Sequence, residues 1–132
     1  MSEPAESVLD PSAVLAVLFK EPGTARVLRA LERGAAMSSV NVAEVAARLS
    51  QNGWTAGAVA SVFDELGIES IPFDYETALL SGAYRPMTRH VGLGLGDRAC
   101  LATACRLGLP ALTADRSWAE LSIEGVRVVT IR

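Results

Sequence analysis

Segments with the pattern of strands and segments with the pattern of helices alternate along the whole 132-residue chain, and no other feature constrains the fold as much. Ser7-Val8-Leu9 is a short apolar stretch that stops at Asp10-Pro11, as a strand does when it runs into a turn. Ser12 is placed to cap a helix over 13–20, which Pro22-Gly23-Thr24 breaks. A second helix reaches about residue 33 with Val27, Leu28 and Leu31 on one face. Residues 35–39 fit a second strand and 42–50 a helix closed by Asn52-Gly53. From Thr55 a further helix turns Val59, Val62, Phe63 and Leu66 inward. Residues 68–73 read as a third strand, and Asp74 as the cap of a helix to about residue 82. Residues 85–95 show no clear period. A helix over 97–107 stops at Gly108-Leu109-Pro110, followed by a strand over 111–113, a helical turn over 117–121 and a last strand over 126–131. This alternation predicts an α/β fold: one domain over 1–132, with a mainly parallel sheet of about five strands and helices on both faces.

Composition narrows the function classes. Half of the residues are hydrophobic and a fifth are charged, which suits a packed core rather than a disordered chain. The longest apolar run, 13–19, is far short of the ~20 residues that span a bilayer. Met1 to Glu6 is acidic and lacks the apolar centre of a secretory signal, so a cytoplasmic protein is expected. Cys100 and Cys105 lie five apart in a helical segment, a spacing of small core residues rather than of zinc ligands. His90 is the one histidine, so one chain cannot build a multi-histidine metal site. The formal net charge of -3 is not that of a bulk nucleic-acid coat protein, although a local basic rim remains open.

Ligands of parallel sheets bind beyond the carboxyl ends of the strands, so the residues just after each strand matter most. Asp10 follows the first strand, and Asp115 follows the strand that ends at Thr113. Glu44 falls in the first turn of the helix after the second strand. Connectivity therefore places three acids at one rim; Asp97, which opens a later helix, does not follow from that rule. Each acid also has a plain structural reading. Asp10 is an ordinary turn residue before Pro11, Asn41-x-x-Glu44 has capping-box spacing, Asp97 fits a cap after Gly96, and Asp115 fits the start of a helical turn. Gathered together, they would repel: two like charges about 4 Å apart cost roughly 4 kcal/mol at an effective dielectric of 20. Lys20, the one lysine, is remote in sequence, and Arg98 and Arg116 are expected to point away on their helices. A divalent cation answers the charge, and all-oxygen ligands select Mg²⁺ or Mn²⁺ over zinc.

Four stretches taken in order resemble the motifs of PIN domains. They are Val8-Leu9-Asp10-Pro11-Ser12-Ala13, Val40-Asn41-Val42-Ala43-Glu44-Val45, Leu95-Gly96-Asp97-Arg98-Ala99-Cys100-Leu101-Ala102-Thr103-Ala104, and Leu112-Thr113-Ala114-Asp115-Arg116-Ser117-Trp118. The compact length is similar to that of VapC toxins from bacterial toxin–antitoxin pairs. The resemblance implies a Mg²⁺-dependent ribonuclease in which Asp10, Glu44, Asp97 and Asp115 form the acidic cluster, and Ser12, Asn41 and Thr113 support it. In that family's chemistry a metal-activated water attacks phosphorus in line and leaves a 5′-phosphate and a 3′-hydroxyl. Arg85, Arg89, His90, Arg98 and Arg116 are then the candidates for contact with the RNA backbone. The resemblance also implies a cognate antitoxin and a homodimer; in the sequence itself Trp54 and Trp118 are candidate anchors, although a core or partly buried place suits each better.

Other classes make different demands. A receiver-like Mg²⁺-binding signalling domain wants a lysine after a late strand, and this chain has none beyond Lys20. An aspartyl phosphatase wants a second Asp two residues after the first, where this chain has Ser12. A non-catalytic α/β binding module would use the acids only as caps.

Overall fold

The computed structural model describes residues 4–132; Met1, Ser2 and Glu3, part of the acidic N-terminal stretch, lie outside the described residues. Five parallel strands form one sheet: β1 (Ser7–Leu9), β2 (Ala35–Ser38), β3 (Ile68–Ile71), β4 (Ala111–Thr113) and β5 (Val128–Thr130). Their order across the sheet is β3-β2-β1-β4-β5. The chain first winds outward from β1 to β3, then returns to β4 on the other side of β1. The seam between β1 and β4 is thus the topological switch point, where an open parallel sheet offers a crevice beyond its strand ends.

The helices sort onto two faces because the strand side chains alternate. Helices α1 (Pro11–Leu18), α2 (Thr24–Arg33), α3 (Ser39–Gln51) and α4 (Ala56–Leu66) cover one face. Their buried Ala13, Val14, Val27, Val45 and Leu49 meet Leu9, Met37 and Leu112 of the sheet. On the opposite face lie α5 (Tyr75–Ala83), α6 (Arg85–Thr88), a 3₁₀ turn over Arg89–Val91, α7 (Leu95–Leu107) and a second 3₁₀ turn over Arg116–Glu120. Tyr84, Leu101 and Trp118 pack there against Val8 and Ala111. The expected α/β sheet with helices on both faces is therefore present. Among the described residues no helix is long and apolar enough to cross a membrane.

Local caps differ from the sequence expectation in three places. Asp10, not Ser12, is the N-cap of α1: its carboxylate accepts from the Ala13 N–H, and Pro11 takes the N1 position, where no N–H is needed. Helix α3 begins at Ser39 with Ser38 as its cap, so Asn41 and Glu44 lie inside the helix and form no capping box. Helix α7 begins at Leu95 after Gly94, which puts Asp97 in the third position instead of at the cap. The strands after residues 67 and 125 are shorter than the apolar pattern implied. Residues 85–95 are mostly helical turns, short enough to leave no readable period. Leu28, expected inward, is 43% exposed, whereas Trp118 is fully buried in the core.

Candidate acidic active site

Asp10 sits at the carboxyl end of β1, on the switch-point seam, and is 4% exposed. Three donors hold its carboxylate. Ser12 donates its hydroxyl to Oδ1 at 2.7 Å, the Ala13 N–H donates to the same oxygen at 2.9 Å, and Thr113 at the end of β4 donates to Oδ2 at 2.6 Å. Both hydroxyls are themselves oriented by backbone. Ser12 Oγ accepts from the Ala114 N–H at 2.9 Å, and Thr113 Oγ1 accepts from the Asp115 N–H at 3.0 Å. Each hydroxyl proton is thereby committed to Asp10. The 3.4 Å approach between the two hydroxyl oxygens needs no bond of its own, because neither has a proton left to give.

Burial pushes the Asp10 carboxyl from 3.8 up to about 6; the three hydrogen bonds hold it down, and the nearby charge of Asp97 adds to the rise. Asp97 moves in the same direction, first through its own burial and then through the charges of Glu44 and Asp115. Its Oδ2 accepts from the Gly94 N–H at 3.1 Å, half of a capping box whose other half Gly94 has no side chain to supply. Glu44 reaches the same edge from α3. Asn41, fully buried, donates through Nδ2 both to Glu44 Oε1 at 2.8 Å and to the Gly96 carbonyl at 2.9 Å, which pins α3 to the start of α7. Gly96 lies directly against the Glu44 carboxylate, where any Cβ would overlap it. Asp115 accepts from the Ser117 N–H at 3.0 Å and the Ser117 hydroxyl at 2.7 Å, which fixes it on the exit from β4.

Folding thus brings all four predicted acids to one edge, along with Ser12, Asn41 and Thr113. Gly96 and Ser117 belong to this arrangement and were not predicted. The Asp115-x-Ser117 spacing of an Asx turn was the available signal for Ser117, and nothing local marked Gly96. Cys100, buried beneath the acids, has its thiol raised well above the usual value by burial first and by Asp10, Asp97 and Glu44 after it. The five basic candidates divide. Arg98, Arg85 and Arg116 donate to the carbonyls of Ser81, Leu93 and Arg132 respectively, while Arg89 and His90 stand exposed on the first 3₁₀ turn. Among the described residues no three histidine, cysteine, aspartate or glutamate side chains stand close enough to hold one ion as they are oriented here. Both oxygens of Asp10 are held by its donors, and Oδ2 of Asp97 is turned to the Gly94 N–H.

The family comparison bears on what such an edge belongs to. The family model described as PIN domain matches residues 7–124, nearly the whole chain. The chain belongs to the PIN-domain family. This PIN domain resembles, at 18% identity and a TM-score of 0.73, a chain in the crystal structure of VapBC2 from Rickettsia felis bound to a DNA fragment from their promoter; the match covers 94% of the PIN domain and 97% of that chain. A toxin–antitoxin complex from Klebsiella pneumoniae matches at 24% identity and a TM-score of 0.69, covering 96% and 98%. VapBC-5 from Mycobacterium tuberculosis matches at 21% identity and 0.63, covering 96% and 99%. These likenesses establish a shared fold over full chain length. No curated protein sequence matches the chain.

Proposed function

We propose that this PIN domain is a cytoplasmic, divalent-metal-dependent endoribonuclease and the toxin of a toxin–antitoxin pair. The observation that carries the reading is the convergence of Asp10, Glu44, Asp97 and Asp115 on the switch-point edge, with Asp10 raised by burial and the charge of Asp97, and Asp97 by burial and the charges of Glu44 and Asp115. A hard cation fits the donor chemistry of this edge, which is all oxygen and strongly anionic. Asn41 adds a buried carbonyl oxygen that has no hydrogen-bond partner among the described residues.

Asp10, Asp97 and Glu44 are the residues to hold Mg²⁺, or Mn²⁺ as a substitute, and Asp115 completes the rim. Bound there, such an ion supplies a lowered pKa for water and positive charge beside a phosphate. The protein's own part is orientation. Ser12, Thr113 and the Ala13 N–H keep Asp10 ionised and aimed at neutral pH, Asn41 sets Glu44, and Ser117 sets Asp115. The substrate is RNA, met by Arg89 and His90 from the exposed 3₁₀ turn and by Arg85, Arg98 and Arg116 where their carbonyl bonds leave N–H groups free. Family membership and the full-length likeness to chains of toxin–antitoxin complexes support an antitoxin as the partner. Exposed Tyr75 and Leu79 on α5, with Met87, offer apolar surface for a homodimer.

One observation favours a non-catalytic module: among the described residues no three acids stand close enough to hold one ion as they are oriented here. The same experiment decides both readings. Purified protein is incubated with a mixed RNA pool and Mn²⁺, beside Asp97→Asn. Cleavage that needs the metal and is lost in the variant, with fold retained by circular dichroism, supports the nuclease. Absence of cleavage together with absence of any Mn²⁺-induced stabilisation supports the module.

A further inference from the structure

The opposite end of the sheet carries a second feature. A cleft of about 660 Å³ opens at the amino ends of β1 and β4, between α2 and the segment that enters β4. Arg26, Arg29 and Arg33 project from α2 at i, i+3 and i+7, one stripe of the helix, and Arg127 faces them from the entry to β5. Glu6 is the one carboxylate among the lining residues. Arg26 donates to the Thr130 carbonyl at 3.1 Å. Among the described residues Arg29, Arg33 and Arg127 make no ion pair and no side-chain hydrogen bond.

A solvated helix face accounts for arginines alone. It does not account for Ser7. This residue, 5% exposed, lines the same cleft, and its hydroxyl has no hydrogen-bond partner among the described residues. A buried hydroxyl without a partner costs free energy that a bound acceptor recovers. Leu109, Pro110 and Leu112 give the cleft an apolar side. Its volume lies in the range of small-molecule sites. Along α2 Arg29 and Arg33 lie about 6 Å apart, at 1.5 Å per residue, and Arg127 faces them, a spacing that suits two phosphates in succession.

We infer that this amino-end cleft binds nucleotide phosphates: Arg29, Arg33 and Arg127 take the phosphate oxygens, Ser7 donates its hydroxyl, and the apolar side receives the base. The chemistry is common to a free nucleoside diphosphate and to two successive units of an RNA strand. It stands apart from the nuclease reading, because the acids lie at the other end of the strands.

The test is calorimetric titration of the full chain at low salt, with EDTA present, so that metal cannot recruit phosphate to the acidic edge. The probes are ADP and a short single-stranded oligouridylate. Binding with a Kd below about 1 mM is expected for at least one. The triple variant Arg29→Gln/Arg33→Gln/Arg127→Gln, whose side chains are all exposed, should weaken it about tenfold or more. Ser7→Ala should weaken it several-fold while leaving the melting temperature of the free protein equal or higher, because it removes an unsatisfied buried group. ADP binding without RNA binding assigns a free-nucleotide site, and RNA binding without ADP binding assigns a strand path; each supports the cleft. Failure of both probes to bind, or equal affinity in the triple variant, overturns it. Binding that persists in Asp97→Asn, a variant aimed at cleavage, keeps this result distinct from the fate of the nuclease reading.

Discussion

Thr113 donates its hydroxyl to Asp10 Oδ2 across the β1–β4 seam at 2.6 Å, and its oxygen accepts from the Asp115 N–H at 3.0 Å. One buried side chain thereby links two acids that are 105 positions apart in the chain. Thr113→Val keeps the shape and removes both bonds. It leaves a buried carboxylate oxygen and an N–H unmatched, and should destabilise the fold by about 2 kcal/mol or more near neutral pH. Urea unfolding measures the loss. Thr113→Ser should recover most of it. In the Asp10→Asn background the cost should shrink, since coupled partners are not additive.

The raised Asp10 carboxyl sets a pH dependence. Between 3.8 and about 6 the folded state holds a proton that the unfolded chain has released. Stability therefore falls as pH rises through this window, by on the order of 3 kcal/mol, and stays lower at neutral pH. Asp97 acts in the same sense. Asp10→Asn should thus be more stable than the parent near pH 7.5 without divalent metal, and its advantage should be mostly gone by about pH 4. Denaturant midpoints at the two pH values provide the check; an advantage independent of pH would contradict the burial argument.

Divalent cations should reverse that penalty. At about 100 times its dissociation constant, Mn²⁺ should stabilise the fold by roughly 2.7 kcal/mol. The gain should diminish below about pH 6 as Asp10 takes up its proton, since metal ligands must be deprotonated. Asp97→Asn and Glu44→Gln should each reduce it. Thermal melts with Mn²⁺ and with EDTA measure the effect directly.

Gly96 separates function from stability. Alanine is the better helix former by up to about 1 kcal/mol, and α7 is helical at this position. Its Cβ, however, overlaps the Glu44 carboxylate, the far end of a flexible side chain that can swing away. Gly96→Ala should therefore leave the melting temperature of the metal-free protein unchanged or slightly higher, while it weakens the Mn²⁺ response and RNA cleavage. A large fall in stability with an intact Mn²⁺ response would show that Glu44 is not the group displaced.

Legibility followed the range of the interactions. Helices and strands were readable because their signals are local: Gly34, Gly108 and Pro110 stop elements, and Asp74 caps α5 by accepting from the Thr77 N–H at 2.9 Å. The caps of α1, α3 and α7 were misplaced by a few residues because several Ser, Asn and Asp residues compete at each start, and packing chooses among them. Residues 85–95 were opaque because a four-residue helix and a 3₁₀ turn are too short to show a period. The acids could be assigned to an edge from connectivity, apart from Asp97. Its place depends on α7 crossing back toward β1 and on Asn41 tying Gly96 to α3.

By itself the amino-acid order determined the alternating elements and the carboxylates that follow the strands, since these depend on spacing and backbone chemistry within a few residues. Only the tertiary structure decided which oxygens meet. The Asp10–Thr113 bond, the seat of Glu44 against Gly96 and the arginine cleft around Ser7 each join segments far apart in sequence, and side-chain packing and burial, which no local window contains, fix the distances between them.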